Sequence, residues 1–421
     1  MRVDADDFAR PCGCGREHHI DVKEIIIRSG AVEKLEEEMS DGELKEYISP
    51  LLICDTNSYK ATEELMEDIY DRCQVLILDA ENLEADERAV EIVENYMEED
   101  IDLVLAVGAG TIHDLSRYVA HQYRIPFVSV PTAASSDGFT STVADMTWNG
   151  VKKMVKASAP IFVFADTDIF AKAPGRLAAA GVSDILGKYI ALADWKIGSI
   201  LTEEYYCAEV VKLETRAIRT VKDNLKEIAA GEEDACEKLM YALVLSGLAM
   251  QMTGNSRPAS GAEHHLVHLW DMEVLNGHLN ALHGEKVSAG TMLTLLEYKK
   301  IADAIHRKSC KVHTHTEKDR DLLQKTFGKK GVLDAIYKEN APEILDEIST
   351  RQLSDALPEI AQIIDSLPSV TDMQEMMSTA GCVSRVRDIG LPRETISDSL
   401  RLAPYTRRRL SLLRLSKMLT Y

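Results

Sequence analysis

The sequence predicts an α/β protein in two parts: a mostly parallel sheet flanked by helices over residues 1–172, then an all-helical part over 173–421. Three observations predict it. Short, β-branched, nearly continuous apolar runs recur through the first 170 residues, as in strands buried on both faces of a parallel sheet. Amphipathic stretches separate these runs, which is the alternation of βα units packed in layers. After about residue 170 the strand-like runs stop and only helical periodicity continues.

The strands are expected at "EIIIRSG" (24–30), "LLICD" (51–55), "VLILD" (75–79), "LVLAVGAG" (103–110), "PFVSVP" (126–131) and "IFVFAD" (161–166). "ATEELMEDIYDRC" and "ERAVEIVENYMEED" read as helices between them. The second part begins with "PGRLAAAGVSDILGKYIALADWKIG". It continues through "YYCAEVVKLETRAIRTVKDNLKEIAAG", "EDACEKLMYALVLSGLAMQMTG" and "EKVSAGTMLTLLEYKKIADAIH". There is no internal repeat and no low-complexity linker. A length of 421 residues accommodates two domains.

A net charge of −21 argues against a nucleic-acid reader and against docking on anionic membranes. A small anionic ligand stays possible, since a few local cations can serve one phosphate. The opening "MRVDADDFARPCGCG" lacks the apolar core of a signal peptide, and no run approaches the roughly 20 apolar residues of a membrane span. A cytoplasmic location is expected. Eight cysteines in so long a chain are too sparse for a disulfide framework. Cys12 and Cys14, followed by His18 and His19, read either as incidental or as a metal site, in a spacing that fits no common zinc pattern.

In "LVLAVGAGTIHD" a buried strand runs into Gly108-Ala109-Gly110, and a helix opens at Thr111 and carries Asp114. Such a turn lets backbone approach a ligand, and the helix N-terminus offers N–H groups and a positive dipole end to a phosphate. It reads equally as a plain tight turn, because His113 stands where the dinucleotide fingerprint has its third glycine. Asp55, ending the strand "LLICD", could accept from a ribose, although it precedes the glycine loop where the usual Rossmann order is the reverse. "SVPTAASSDGFTS" (129–141) packs small and hydroxylated residues around Asp137 and Gly138. It can line a phosphate or a nicotinamide, or be a polar connection.

The stretch "SGAEHHLVH" (260–268) gathers three histidines. His264 and His268, four apart, share a helix face, while His265 points elsewhere. His283 lies in "LHGEKV". Upstream, Asp184 and Lys188 sit one turn apart in "AAAGVSDILGKY". Two imidazoles and a carboxylate can hold a divalent metal with positions open for substrate. Satisfied or surface histidines are the competing reading.

These motifs in this order resemble the iron-containing alcohol dehydrogenase and glycerol dehydrogenase superfamily, with dehydroquinate synthases as distant relatives. Within it the likeness is greatest to the bacterial glycerol-1-phosphate dehydrogenases. The residues that carry it are "VGAGTIHD", "VPTAASSDGF", "GVSDILGKYIALADWKIG", "SRPASGAEHHLVH" and "ALHGEKV".

The resemblance implies a dehydroquinate synthase-like fold, with a Rossmann-like nucleotide domain, a helical metal domain and an active site in the cleft between them. It implies NAD(P)H-dependent reduction of dihydroxyacetone phosphate to sn-glycerol 1-phosphate, by a homo-oligomer, most simply a dimer. The cofactor residues it implies are Gly108, Gly110, Thr111, Ile112, His113 and Asp114, with Thr132, Ala133, Ala134, Ser135 and Ser141. Asp55 is expected to read the adenosine ribose and so to favour NAD, with Lys60 near enough to rescue NADP. Asp184, His264 and His283 are implied as ligands of one zinc or nickel ion, with His265 as the alternative to His264. Asp137, Asp184 and His268 are implied as substrate contacts, with Asp137 and His268 as the catalytic pair and His268 as a proton relay. Arg257 and Lys188 are candidates for the substrate phosphate by location.

Two departures stand out. Iron-type enzymes carry a further histidine ligand where this chain has Lys188, and the glycine loop reads GAG. The rival functions are a glycerol or other polyol dehydrogenase, a dehydroquinate synthase-like lyase, and a nucleotide sensor without catalysis.

Overall fold

The structure, a computed structural model, describes residues 2–4, 8, 11–317 and 319–421; part of the N-terminal stretch read for a leader lies outside them. The chain forms two compact units. One comprises residues 1–149, 153–185 and 212–256, the other 150–152, 186–211 and 257–421.

The first unit is built on a seven-stranded sheet. Its strands are β1 (Arg2–Asp4), β2 (Glu24–Arg28), β3 (Pro50–Asp55), β4 (Gln74–Leu78), β5 (Leu103–Gly108), β6 (Phe127–Pro131) and, after a separate hairpin, β9 (Phe162–Asp166). The spatial order is β1-β2-β9-β6-β5-β3-β4. Every pairing is parallel except β1 with β2. The six expected strands are all present, within one or two residues of their predicted ends.

Side chains alternate across the sheet and feed two cores. On one face Leu51, Ile53, Val104 and Ala106 pack with helices α3 (Glu87–Glu94) and α4 (Gly110–Tyr123). On the other face Leu52, Cys54, Leu103, Leu105 and Val107 pack with α1 (Ala31–Ser40) and with Tyr59 of α2 (Thr56–Thr62). Neighbouring strands β3 and β5 therefore send their following helices to opposite faces, so the strand order reverses between them. That reversal is where open α/β sheets bind ligands. It sets Asp55, at the end of β3, beside the loop after β5, although the two are far apart in the chain.

The sequence reading placed no strand between residues 131 and 161. The structure has a hairpin there, β7 (Val143–Trp148) and β8 (Val151–Lys156). Its turn is Asn149-Gly150, both with positive φ (51° and 71°), as a two-residue hairpin of mirror-image type requires. β4 also departs from burial on both faces: it is the edge strand, and Ile77 is 42% exposed.

The helices that follow include α5 (Gly175–Leu201), α6 (Ala208–Lys222), α7 (Glu233–Thr253), α8 (Ala262–Asp271), α9 (His283–His306) and α10 (Thr350–Asp365). α5 and α6 contribute residues to both units. In the second unit the buried Asp194 of α5 accepts from the Tyr298 hydroxyl (2.7 Å) and from the backbone N–H groups of Leu412 (2.8 Å) and Ala262 (2.9 Å). Gly290 of α9 lets that helix lie close to α8, since a Cβ there would come within 2.7 Å of the Glu263 carbonyl oxygen. Among the described residues, no helix is long and apolar enough to cross a membrane.

His113 of α4 is a structural part of the first unit. It is fully buried, with Nδ1 2.9 Å from the Ala109 carbonyl and Nε2 2.8 Å from Ser129 Oγ on β6. Burial pushes its pKa down to about 3, and the nearby Arg117 adds to this. Unfolded histidine titrates near 6.5. Between these values only the unfolded chain takes up the proton, so this contribution is complete above pH 6.5 and is lost as pH falls below it. Urea unfolding at pH 6.5 and pH 5 should show the wild type losing about 2 kcal/mol more than His113→Gln. Equal losses in both proteins would contradict this role.

Candidate active site

The loop after β5 is shaped by glycines. A Cβ on Gly108 would come within 2.6 Å of Ile112, and one on Gly110 within 3.0 Å of Ser136 Oγ. Ala109 caps α4 without a side-chain hydrogen bond, and the first helical bond runs from His113 N–H to the Ala109 carbonyl (3.2 Å). The N–H groups of Gly110, Thr111 and Ile112 are therefore the helix's outward donors, at its positive end. The side chains of Ile112 and His113 are buried beneath the loop. Of the expected contacts from Gly108 to Asp114, these two can offer a ligand only their backbone. Asp114 lies 3.7 Å from Arg117.

The second loop, 132–141, is held against the first. β5 and β6 end in register, Gly108 opposite Pro131, and Thr132 N–H donates to the Gly108 carbonyl (3.0 Å). Thr132, Ala133, Ala134, Ser135 and Ser141 are all buried. Two helix glycines press on this loop. A Cβ on Gly181 of α5 would sit 2.1 Å from the Ala134 oxygen, and one on Gly247 of α7 2.1 Å from Thr140 Oγ1. Arg117, buried in α4, donates to the carbonyls of Gly138, Ser141 (2.8 Å) and Val143 (3.3 Å). This clamp was missed at the level of sequence, where an arginine in mid-helix carries no such signal.

Asp55 has a local task. Its Oδ1 accepts from the N–H groups of Asn57 (2.8 Å) and Ser58 (3.0 Å), capping α2. Both bonds fall on one oxygen, so Oδ2 is the atom that can face a ribose.

Asp184, His264 and His283 each offer one ligand atom, and these atoms lie within 4.8 Å of one another. Asp184 is fully buried in α5, and its Oδ2 accepts the Asp137 N–H (3.0 Å). The His264 and His283 rings, on α8 and at the start of α9, are 5.4 Å apart by centroid. The His264 Nδ1–H donates to Glu263 Oε1 (2.8 Å), which also accepts the Gly261 N–H (2.7 Å). That bond fixes the tautomer and leaves Nε2 as the donor to a metal, the orientation common among metal-bound histidines. One carboxylate and two oriented imidazoles fit a divalent ion with open positions. Lys188, one turn beyond Asp184, is fully buried. The sequence sets Glu263 among the histidines but does not show its role in orienting His264.

His265 is not in this group. Its ring is fully buried, and burial first, then the charges of Arg409, Arg407, Arg257 and Arg414, hold its pKa well below 6.5. His268, one turn from His264 (rings 6.5 Å apart), is buried with Nδ1 unbonded to protein. Burial foremost, then Arg407, His264, His265 and Lys152, keeps its ring neutral. Asp137 Oδ2 accepts from Ser246 Oγ (2.8 Å).

Arg257 is tied into the fold. Its Nη2 donates to Glu204 Oε2 (2.7 Å) and to the carbonyls of Leu410 (2.7 Å) and Asp194 (3.1 Å). The cations whose charge bears on His268 are Arg407 and, more weakly, Lys152, and the buried Arg409 feels the charge of Arg407 in turn. "YTRRRL" (405–410) was passed over because it lies some 140 residues beyond the histidines.

The family profile described as iron-containing alcohol dehydrogenase matches residues 26–174. The chain is 34% identical over 405 residues to the glycerol-1-phosphate dehydrogenase [NAD(P)+] of Geobacillus stearothermophilus, covering 94% of this chain and 92% of that one. It is 33% identical to that of Halalkalibacterium halodurans, covering 97% and 96%. In fold it is similar to an iron-containing alcohol dehydrogenase from Corynebacterium glutamicum (TM-score 0.61, 16% identity, 96% of each chain). It is also similar to a glycerol dehydrogenase from Schizosaccharomyces pombe (TM-score 0.55, 19% identity, 86% and 92%). The fold shown is thus the expected one, and the extent and level of identity show that the chain belongs to the glycerol-1-phosphate dehydrogenases.

Proposed function

We propose that this chain reduces dihydroxyacetone phosphate to sn-glycerol 1-phosphate with NAD(P)H, and runs the reverse reaction with NAD(P)+. The observation that carries the reading is identity above 30% over nearly the full length of relatives named for that dehydrogenase. A bound nicotinamide would supply or accept the hydride, and a divalent ion held by Asp184, His264 and His283 would supply Lewis acidity toward the substrate oxygen.

The chain's own residues do the rest. The backbone from Gly108 to Asp114 binds the pyrophosphate at the positive end of α4. Asp55 accepts from the adenosine ribose through Oδ2 while Oδ1 keeps α2 capped. Thr132, Ala133, Ala134, Ser135 and Ser141 line the nicotinamide side. Asp137 and Asp184 meet substrate hydroxyls. His268, kept neutral by burial, can take a proton at Nδ1 or donate one there, the requirement for a proton relay. Arg407 joins Lys188 as a cation for the substrate phosphate, while Arg257 is committed to Glu204 and two backbone carbonyls. The reading extends to one zinc or nickel ion per subunit, which suits mixed nitrogen and oxygen donors, and to a cytoplasmic homodimer.

Two measurements test this. NADH oxidation should be faster with dihydroxyacetone phosphate than with dihydroxyacetone, by about 100-fold or more in kcat/KM, as a charge-assisted contact implies. Arg407→Ala should narrow that ratio. Equal rates on both ketones would favour a polyol dehydrogenase. Elemental analysis supplies the second. Alanine at Asp184, His264 or His283 should remove bound metal and activity together. Alanine at His268 should leave metal bound and slow turnover by about 10- to 1,000-fold. A full metal complement in His264→Ala, with loss in His265→Ala, would transfer the ligand role to His265.

A further inference from the structure

A second group of side chains that could hold a metal shares no residue with the first. Cys12, Cys14, His18 and Cys207 each offer one ligand atom, and all four atoms lie within 4.8 Å of one another. We propose that these four residues bind a structural zinc ion.

Four features carry this. The donor set is three sulfurs and one imidazole nitrogen, a combination typical of closed structural zinc. The spacing agrees: Cys14 Sγ is 3.5 Å from His18 Nε2. The edge of a zinc tetrahedron with bonds of 2.0–2.3 Å is about 3.6 Å.

The histidine is also oriented for the task. His18 is buried, at 4% exposure, and its Nδ1–H donates to the Met252 carbonyl (2.6 Å). That bond fixes the tautomer and turns the Nε2 lone pair toward the sulfurs, as outer-shell partners of ligand histidines do.

The backbone is arranged to present two sulfurs together. Gly15 has φ +81° and its N–H donates to the Cys12 carbonyl (3.2 Å), so the chain turns within Cys12-Gly13-Cys14-Gly15. Only glycine adopts that φ readily. Cys207, fully buried immediately before α6, supplies the third sulfur from nearly 200 residues away. His19, the other histidine of the motif, is exposed and outside the group.

None of the eight cysteines is in a disulfide, so these sulfurs are not gathered by one. Four protein ligands close the coordination sphere, which excludes substrate. The role of the ion is to hold the segment 12–18 in its folded form. The binding releases thiol protons, so it weakens in acid.

Cobalt substitution of the full-length enzyme tests the site separately from catalysis. Reduced protein loaded with Co2+ should show the intense near-ultraviolet band of cobalt–thiolate charge transfer. The band should persist in His264→Ala and vanish in Cys12→Ser/Cys14→Ser. Asp184, His264 and His283 contain no sulfur, so they cannot produce it. Zinc analysis should show one equivalent lost in the double-serine variant. Absence of the band in wild-type protein with all thiols reduced overturns the proposal without needing any variant to fold. So does a disulfide joining Cys207 to Cys12 or Cys14 in protein purified from a reducing cytosol.

Discussion

The arrangement of the helical unit rests on one buried carboxylate. Asp194 of α5 takes three donors: the N–H of Ala262 at the start of α8, the Tyr298 hydroxyl on α9 and the N–H of Leu412 near the C-terminus. Burial raises its pKa to about 6, so keeping it charged is costly and only a full set of donors sustains it. Removing the carboxylate would strand three buried donors, each costing roughly 1–3 kcal/mol. His264 lies two residues beyond Ala262, and His283 begins the helix that carries Tyr298. The histidine pair is thus positioned by a residue that touches neither ring.

α5 carries the same logic into the first unit. Gly181 allows the helix to meet the Ala134 oxygen closely, and three residues later Asp184 accepts the Asp137 N–H. Any larger side chain at 181 would push the helix off the 132–141 loop. The expected cofactor loop, the expected substrate aspartate and the expected metal ligand Asp184 are therefore held together within one short stretch. Arg117 fixes the same loop from the side of α4. This rigidity suits a site in which a hydride donor and acceptor must be held in register.

How much of this was legible in the sequence follows from range. The strands were, because burial on both faces gives a continuous apolar run. The hairpin after residue 142 was not, although Asn149-Gly150 marks its turn, because its strands are half-buried and carry lysines. The glycine loop and the histidine cluster were legible as local patterns. Their partners were not. Asp55 reads as a strand-end carboxylate, yet half of it is occupied in capping α2. His113 reads as part of a ligand loop, yet its ring pins α4 to β6. Arg407 and Cys207 have meaning only through residues that lie far from them in the chain, and no local pattern announces such a meeting.

The central claim is that a carboxylate from α5 and imidazoles from α8 and α9 hold one divalent ion. Anomalous X-ray diffraction from crystals of metal-loaded enzyme, recorded on both sides of the metal's absorption edge, tests it most directly. The account predicts a peak bonded to Asp184, to His264 through Nε2 and to His283, with at least one position not filled by protein. A peak bonded to His265 in place of His264, or no peak among these residues in fully loaded, active crystals, would contradict it.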